Sequence, residues 1–185
     1  DDWQRAAEIL SDSARRLEKA GAEALIIGAN SMHRVYDAVS RLVAIPILHI
    51  ADCVGEQMQA DGVRSAALLG TRNVMVEGFY RRRLVARGVD LVPPDMSNVE
   101  QLDQIIYDEL MVGRVTRSAE RALKSMVTFI QQSGTEAVVL ACTELEMVVD
   151  ADANVLPIYD SARIHSEAAA DWILAGGEQV DNIAA

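Results

Sequence analysis

Apolar positions along the chain alternate between two patterns. Ala6, Ile9, Leu10, Ala14 and Leu17 share one helical face, which predicts an amphipathic helix over Asp2 to Ala20, closed by Gly21. Ala22 to Gly28 reads as a first buried strand, and Ser31 to Leu42 as a helix with Met32, Val35, Val39 and Leu42 apolar and His33 in its first turn. Ile45 to Ile50 is a strand, Ala51 to Ala60 a helix, Arg64 to Gly70 a strand ending at Gly70-Thr71, and Asn73 to about Ala86 a helix. Gly88 to Val92 is a short strand before the break at Pro93-Pro94. Ser97 to Met111 and Thr116 to Gln132 predict two helices parted at Gly113. Ala137 to Ala141 are all apolar, as in a strand of a parallel sheet buried on both faces. Asp160 opens the last helix, which runs to about Leu174, and the tail from Gly176 is polar and frayed. Such alternation predicts an α/β protein with mostly parallel sheets flanked by helices.

The pattern repeats within the chain. Gly21-Ala22-Glu23-Ala24-Leu25-Ile26-Ile27-Gly28-Ala29-Asn30-Ser31 aligns without a gap on Gly134-Thr135-Glu136-Ala137-Val138-Val139-Leu140-Ala141-Cys142-Thr143-Glu144. Ile45-Pro46-Ile47-Leu48 follows the first copy, and Leu156-Pro157-Ile158-Tyr159 the second. We read two pseudo-symmetric lobes facing each other across a cleft. Residues 1–51 and 160–185 form one lobe and 52–159 the other. In this arrangement Cys142 has its counterpart at Ala29.

Cys142 ends a buried strand, and Thr143 and Glu146 have the spacing of a capping box at a helix start. Unpaired N–H groups and the positive end of a helix dipole favour a thiolate there, so the expectation is a Cys142 pKa below the usual value of about 8.5. Helix starts are also anion sites, with Asn30, Ser31 and Thr143 as added donors for carboxylates. Two facing strand–helix turns suit proton transfer at a carbon held between them. A proton-carrying group on each wall would make a two-base racemase. Here one wall offers Cys142, and the other offers Ala29, which transfers no proton.

Composition narrows the class. Half of the 185 residues are hydrophobic and only 4% are aromatic, so aliphatic side chains build the core. A net charge of −11 argues against nucleic acid and anionic membrane surfaces as partners. No apolar run approaches a membrane span, and no signal peptide opens the sequence. Cys53 and Cys142 are far apart in unlike contexts, which points to a reducing, cytoplasmic setting, with Cys53 a small buried hydrophobe. His33, His49 and His165 are scattered and show no metal-ligand spacing. Arg81, Arg82 and Arg83 read as a solvated or salt-bridged helix face, and Gly70-Thr71-Arg72 is too short for a P-loop.

The quoted motifs resemble those of the aspartate/glutamate racemase superfamily, most closely its broad-specificity amino-acid racemase branch. Ala29-Asn30-Ser31-Met32-His33 is similar to that branch's Thr-Asn-Thr-Met-His, and Ala141-Cys142-Thr143-Glu144-Leu145 to its Gly-Cys-Thr-Glu-Ile. Leu68-Leu69-Gly70-Thr71-Arg72 resembles a third motif whose threonine lies near substrate. The likeness extends to about Leu174. It implies a cofactor-independent racemase of an amino-acid substrate, homodimeric, with Cys142 and position 29 as the acid/base pair and Asn30, Ser31, Thr71 and Thr143 around the substrate. Two departures stand out. The family's opening strand and Gly-rich turn have no counterpart from Asp1-Asp2-Trp3 onward, and Ala29 replaces the family's Cys or Thr. With Cys142 as the one thiol at the site, two alternatives stay open. One is a single-cysteine decarboxylase or isomerase of the same superfamily; the other is a relative that binds an amino acid without catalysis.

Overall fold

The computed structural model describes residues 2–151 and 153–177. The tail expected to fray lies, from residue 178 on, outside them. Helix α1 (Trp3–Lys19) starts where the Asp2 carboxylate accepts the Arg5 N–H. Strands β1 (Leu25–Ile26) and β2 (Ile47–Leu48) pair in parallel, with a 3₁₀ turn over Ser31–Val35 and the short helix α2 (Tyr36–Ser40) between them. There follow α3 (Ile50–Ala60), β3 (Ser65–Gly70), α4 (Arg72–Val76), α5 (Gly78–Ala86), β4 (Asp90–Leu91) and α6 (Met96–Asp108). The chain continues through a 3₁₀ turn at Leu110–Val112, α7 (Arg117–Gln132), β5 (Ala137–Ala141), a 3₁₀ turn at Thr143–Met147, β6 (Ile158–Asp160) and α8 (Ser161–Leu174). The helix expected over Asn73 to Ala86 is interrupted at Glu77, whose backbone is extended. Among the described residues no helix is long and apolar enough to cross a membrane.

The larger sheet has the parallel order β4-β3-β5-β6. Its central strands are buried on both faces, as their unbroken apolar runs predict. Leu69, Val138, Leu140 and Cys142 join one core with α6 and α7. Ala66, Leu68, Ala137, Val139 and Ala141 join the other with α3, α5 and α8. This alternation is the period-two geometry of a strand. A third, smaller core sits under α1, where Ala14, Val35, Val39 and Ile47 are buried against Trp3 and Leu10.

The internal repeat is realised bond for bond. Leu25 pairs with Ile47 and Val138 with Ile158. The Leu25 N–H donates to the Pro46 carbonyl at 2.9 Å, and the Val138 N–H to the Pro157 carbonyl at 3.0 Å. At the next helix start, His49 Nδ1 accepts from the Ala51 N–H and the Asp160 carboxylate accepts from the Ala162 N–H. Gly21 and Gly134, which precede the two copies, are both left-handed, with φ of +95° and +82°.

The copies differ in completeness. The strand expected over Ala22 to Gly28 shrinks to two residues, and Ile26 is 48% exposed. The reason is its surroundings. β5 lies between β3 and β6 under helices on both faces, whereas β1 has β2 as its single strand neighbour among the described residues. Helix α8 packs on α3 and on β5, and His165 Nε2–H reaches the Leu48 carbonyl at the end of β2 at 3.0 Å. Residues 161–174 therefore touch both sheets.

Candidate active site

Strands β3 and β5 end side by side. Leu69 pairs with Leu140 and Gly70 with Ala141, so Thr71 and Cys142 emerge next to each other from the carboxyl edge of the sheet. Only glycine fits at position 70: a Cβ there would stand 2.7 Å from the Ala141 carbonyl oxygen. Carboxyl edges of parallel sheets are where ligands bind in this class of fold. Thr71 is buried, and its hydroxyl has no hydrogen-bond partner. Asn30, after β1, is 4% exposed, and both atoms of its side-chain amide are likewise without a partner. Buried polar groups are nearly always hydrogen-bonded, so each of these residues leaves polar valences open at the end of its own sheet.

Cys142 is 7% exposed and packs with the Leu69, Leu140 and Leu145 core. Its S–H donates to Glu144 Oε2 at 3.0 Å, and the Thr143 hydroxyl donates to the same oxygen at 2.8 Å. Burial, reinforced by the adjacent Glu144 carboxylate, pushes the thiol up to about 12. Burial of Glu144 itself is outweighed by the hydrogen bonds it accepts from Cys142 and Thr143, which hold its carboxyl below the usual carboxylate range.

This corrects the expected thiolate. The segment after Cys142 is a five-residue 3₁₀ turn without a side-chain cap, not a helix opened by a capping box. Thr143 turns toward Glu144, Glu146 is exposed, and so short a turn has little dipole to set against an adjacent negative charge.

On the other sheet, Ala29 is half-buried at the turn after β1, with Ser31 opening the 3₁₀ turn. His33 holds this turn in place. Its Nε2 accepts the Ile50 N–H at 3.2 Å, so Nδ1 carries the proton and donates to the Ala29 carbonyl at 3.0 Å. Histidines scattered in sequence are gathered in space: the His33 ring lies 4.3 Å from that of His49 and 5.9 Å from that of His165. Burial lowers the pKa of all three, His33 to about 4. His33 and His165 are neutral clips between backbone segments, and His49 caps α3 through the Ala51 N–H.

Charged contacts tie the same turn to the helices around the larger sheet. Arg34 pairs with Glu77, while Arg83 pairs with Asp52 and lies over the Tyr36 ring, 4.7 Å from its centre. Of the arginine run, Arg83 thus makes the salt-bridged contact, and Arg81 donates to the Leu91 and Val92 carbonyls. Cys53 is a buried free thiol pushed up to about 12, chiefly by burial.

The structure therefore brings Thr71, Cys142 and Thr143 together at one sheet edge and holds Ala29, Asn30 and Ser31 at the end of the other. The sequence reading missed Glu144 as the partner of Cys142, although a carboxylate two residues after the cysteine was the available signal. It also missed the histidine cluster, for which spacing gave none.

Comparison with known proteins now has a geometry to rest on. The sequence profile of the Asp/Glu/hydantoin racemase family matches residues 1–169. The broad specificity amino-acid racemase RacX of Bacillus subtilis (strain 168) is 22% identical over 161 residues, covering 87% of this chain and 69% of that protein. A Yersinia pestis protein assigned to the Asp/Glu racemases superposes with a TM-score of 0.87 at 37% identity, and an aspartate racemase homologue from Pyrococcus horikoshii OT3 with 0.82 at 34%. Each superposition covers 94% of this chain and 76% of the other. Profile, repeat and strand-end site agree: the chain belongs to the Asp/Glu/hydantoin racemase family.

Proposed function

We propose that the chain carries the site of a cofactor-independent amino-acid racemase in which Cys142 is the acid/base thiol and position 29 the opposite wall. The observation that carries this reading is the pair of buried, unpartnered groups, the Asn30 amide and the Thr71 hydroxyl. An α-amino acid supplies what they lack. Its carboxylate accepts from the Asn30 NH₂, Ser31 and the backbone N–H of Thr143, and Thr71 meets the side-chain end. Fixed donors of this kind stabilise the negative charge that develops when the α-proton leaves. The thiolate of Cys142, the minor form of a thiol pushed up to about 12, removes that proton, and the thiol returns it. Ala29 offers a methyl group on the far wall, so inversion is slow while exchange on the Cys142 face continues. The same reading has the protein working as a homodimer in a reducing, cytoplasmic setting, where Cys53 and Cys142 are free thiols.

The test is made in the full-length protein. Ala29→Thr and Ala29→Cys are compared with the parent for racemisation, by optical rotation, and for α-proton exchange in deuterated water. A positioned acid/base group contributes about 10²–10⁴-fold, so inversion should rise by that order with little change in substrate affinity. Cys142→Ala should abolish exchange in the parent, where position 29 carries no proton-transferring group. Unchanged inversion in folded, substrate-binding position-29 variants refutes the role of position 29, and exchange that survives Cys142→Ala in the parent refutes that of the thiol.

A second reading is favoured by one observation. A buried thiol whose S–H donates to Glu144, and which burial pushes up to about 12, suits donation of one proton to a carbanion. That is the need of a decarboxylase acting on a malonate-type substrate. Carbon dioxide release from such a substrate, without racemisation of any amino acid, would decide for it.

A further inference from the structure

We propose that Arg34 and Glu77 are positioning residues, whose ion pair fixes the Asn30 wall of the site against the Thr71 wall. This rests on the amino-acid reading of those two buried, unpartnered groups and adds what holds them at a working distance. Each group stands at the end of its own sheet. Among the described residues the two sheets share no strand, so strand pairing does not set the spacing of the walls. Contacts between side chains must do so.

From Asn30 the chain runs through the Ser31–Val35 turn to Arg34. That arm is stiff: the His33 N–H donates to the Asn30 carbonyl at 3.2 Å, and the His33 ring donates to the Ala29 carbonyl at 3.0 Å. From Thr71 the chain runs through α4 to Glu77. Here the Met75 N–H donates to the Thr71 carbonyl at 3.0 Å, and the Glu77 N–H to the Asn73 carbonyl at 3.1 Å. The Arg34 guanidinium meets the Glu77 carboxylate. Two short helical arms, each beginning at an unpartnered group, thus close on one another through an ion pair.

The local structure is shaped around this contact. Hydrophobic spacing predicts one helix from Asn73 to about Ala86, yet it breaks at Glu77, whose φ of −83° and ψ of 154° are extended. Glu77 holds the N-cap position of α5, but its carboxylate makes no cap hydrogen bond and goes to Arg34. A side-chain oxygen at that position ordinarily serves the helix's own N–H groups; this one serves the opposite wall. Arg34 is held in turn over the Trp3 ring of α1, 4.6 Å from its centre. The Arg34 and Glu77 side chains are 35% and 31% exposed, so the pair contributes little to stability and can be cut without unfolding the chain. Arg83 of α5 lies over Tyr36 and faces Asp37 at 4.0 Å, so a second link remains and cutting the pair loosens the walls without parting them. Neither Arg34 nor Glu77 is a substrate contact in this reading; both act through the arms that they end.

Two measurements in the full-length protein test this. The first needs no ligand: amide hydrogen exchange followed by mass spectrometry. In Glu77→Gln, residues 31–35 and 72–76 should exchange at least about threefold faster than in the parent, with β3 and β5 unchanged. The charge-swapped pair, Arg34→Glu with Glu77→Arg, should restore most of the protection, which a separate structural role for either side chain would not allow. The second is calorimetric titration with each of the twenty standard amino acids. The one that binds the parent best should bind Glu77→Gln about three- to fivefold more weakly, and the gap should close in about 0.5 M KCl, which screens the pair in the parent. Circular dichroism should show a Tm within about 4 °C of the parent, and Arg34→Gln replaces Glu77→Gln if that variant does not fold. Unchanged exchange in both arms overturns the tie, and unchanged affinity overturns its role in the site. If the parent binds no amino acid, the amino-acid reading fails, and the exchange measurement still decides the tie.

Discussion

Replacing Gly70 with alanine presses on the joint that holds Thr71 beside Cys142. The new Cβ would stand 2.7 Å from the Ala141 carbonyl oxygen and 3.1 Å from its carbon. Both are backbone atoms of β5, held in register by pairing on either side, so no flexible side chain can swing away. Overpacking of this kind costs about 1–3 kcal/mol. Against it, Gly→Ala restricts the unfolded chain and returns about 0.4–1 kcal/mol. The net is a loss of about 1–2 kcal/mol, which for a domain of this size lowers Tm by about 2–8 °C. Gly28→Ala is the control, since nothing lies within 4 Å of the Cβ it would add. Thermal unfolding followed by circular dichroism reads both. A Gly70→Ala protein melting at or above the parent would refute the close approach of β3 and β5, and with it the placement of Thr71 beside Cys142.

The remaining predictions concern charge. His33 is buried with its pKa lowered from 6.5 to about 4, and His49 and His165 are lowered as well. The unfolded chain therefore takes up protons first, so the stability that these neutral rings contribute is present above pH 6.5 and, for His33, is lost as pH falls from 6.5 to about 4. Each such ring adds about 1.4 kcal/mol per pH unit to that slope, and urea unfolding at several pH values should show it flattened in His33→Phe. Arg83→Met leaves the buried Asp52 without its paired guanidinium, and Arg87 lies at 4.0 Å, so a loss of about 3 kcal/mol is expected. Adding Asp52→Asn should recover part of it; a double variant no more stable than Arg83→Met would show that the pair is not what the mutation breaks.

The sequence by itself determined the plan. Five apolar residues from Ala137 to Ala141 announce a strand covered on both faces, because only such a strand can dispense with polar positions. The repeat foretold two strand–turn–strand units, and they pair in matching register, Leu25 with Ile47 and Val138 with Ile158. It also set Thr71 and Cys142 at strand ends, since a strand ends where its apolar run does. The tertiary structure alone decided the rest. Whether Cys142 is thiol or thiolate depends on its depth in the core and on which oxygen meets its sulfur, and burial, reinforced by Glu144, outweighs what a helix start would favour. β1 is short because a strand extends only as far as its neighbours pair with it. His33, His49 and His165 share one cluster because two parallel sheets and α8 converge there. Periodicity is a local property that each segment carries with it, whereas protonation, strand length and clustering are set by groups that meet only once the chain has folded.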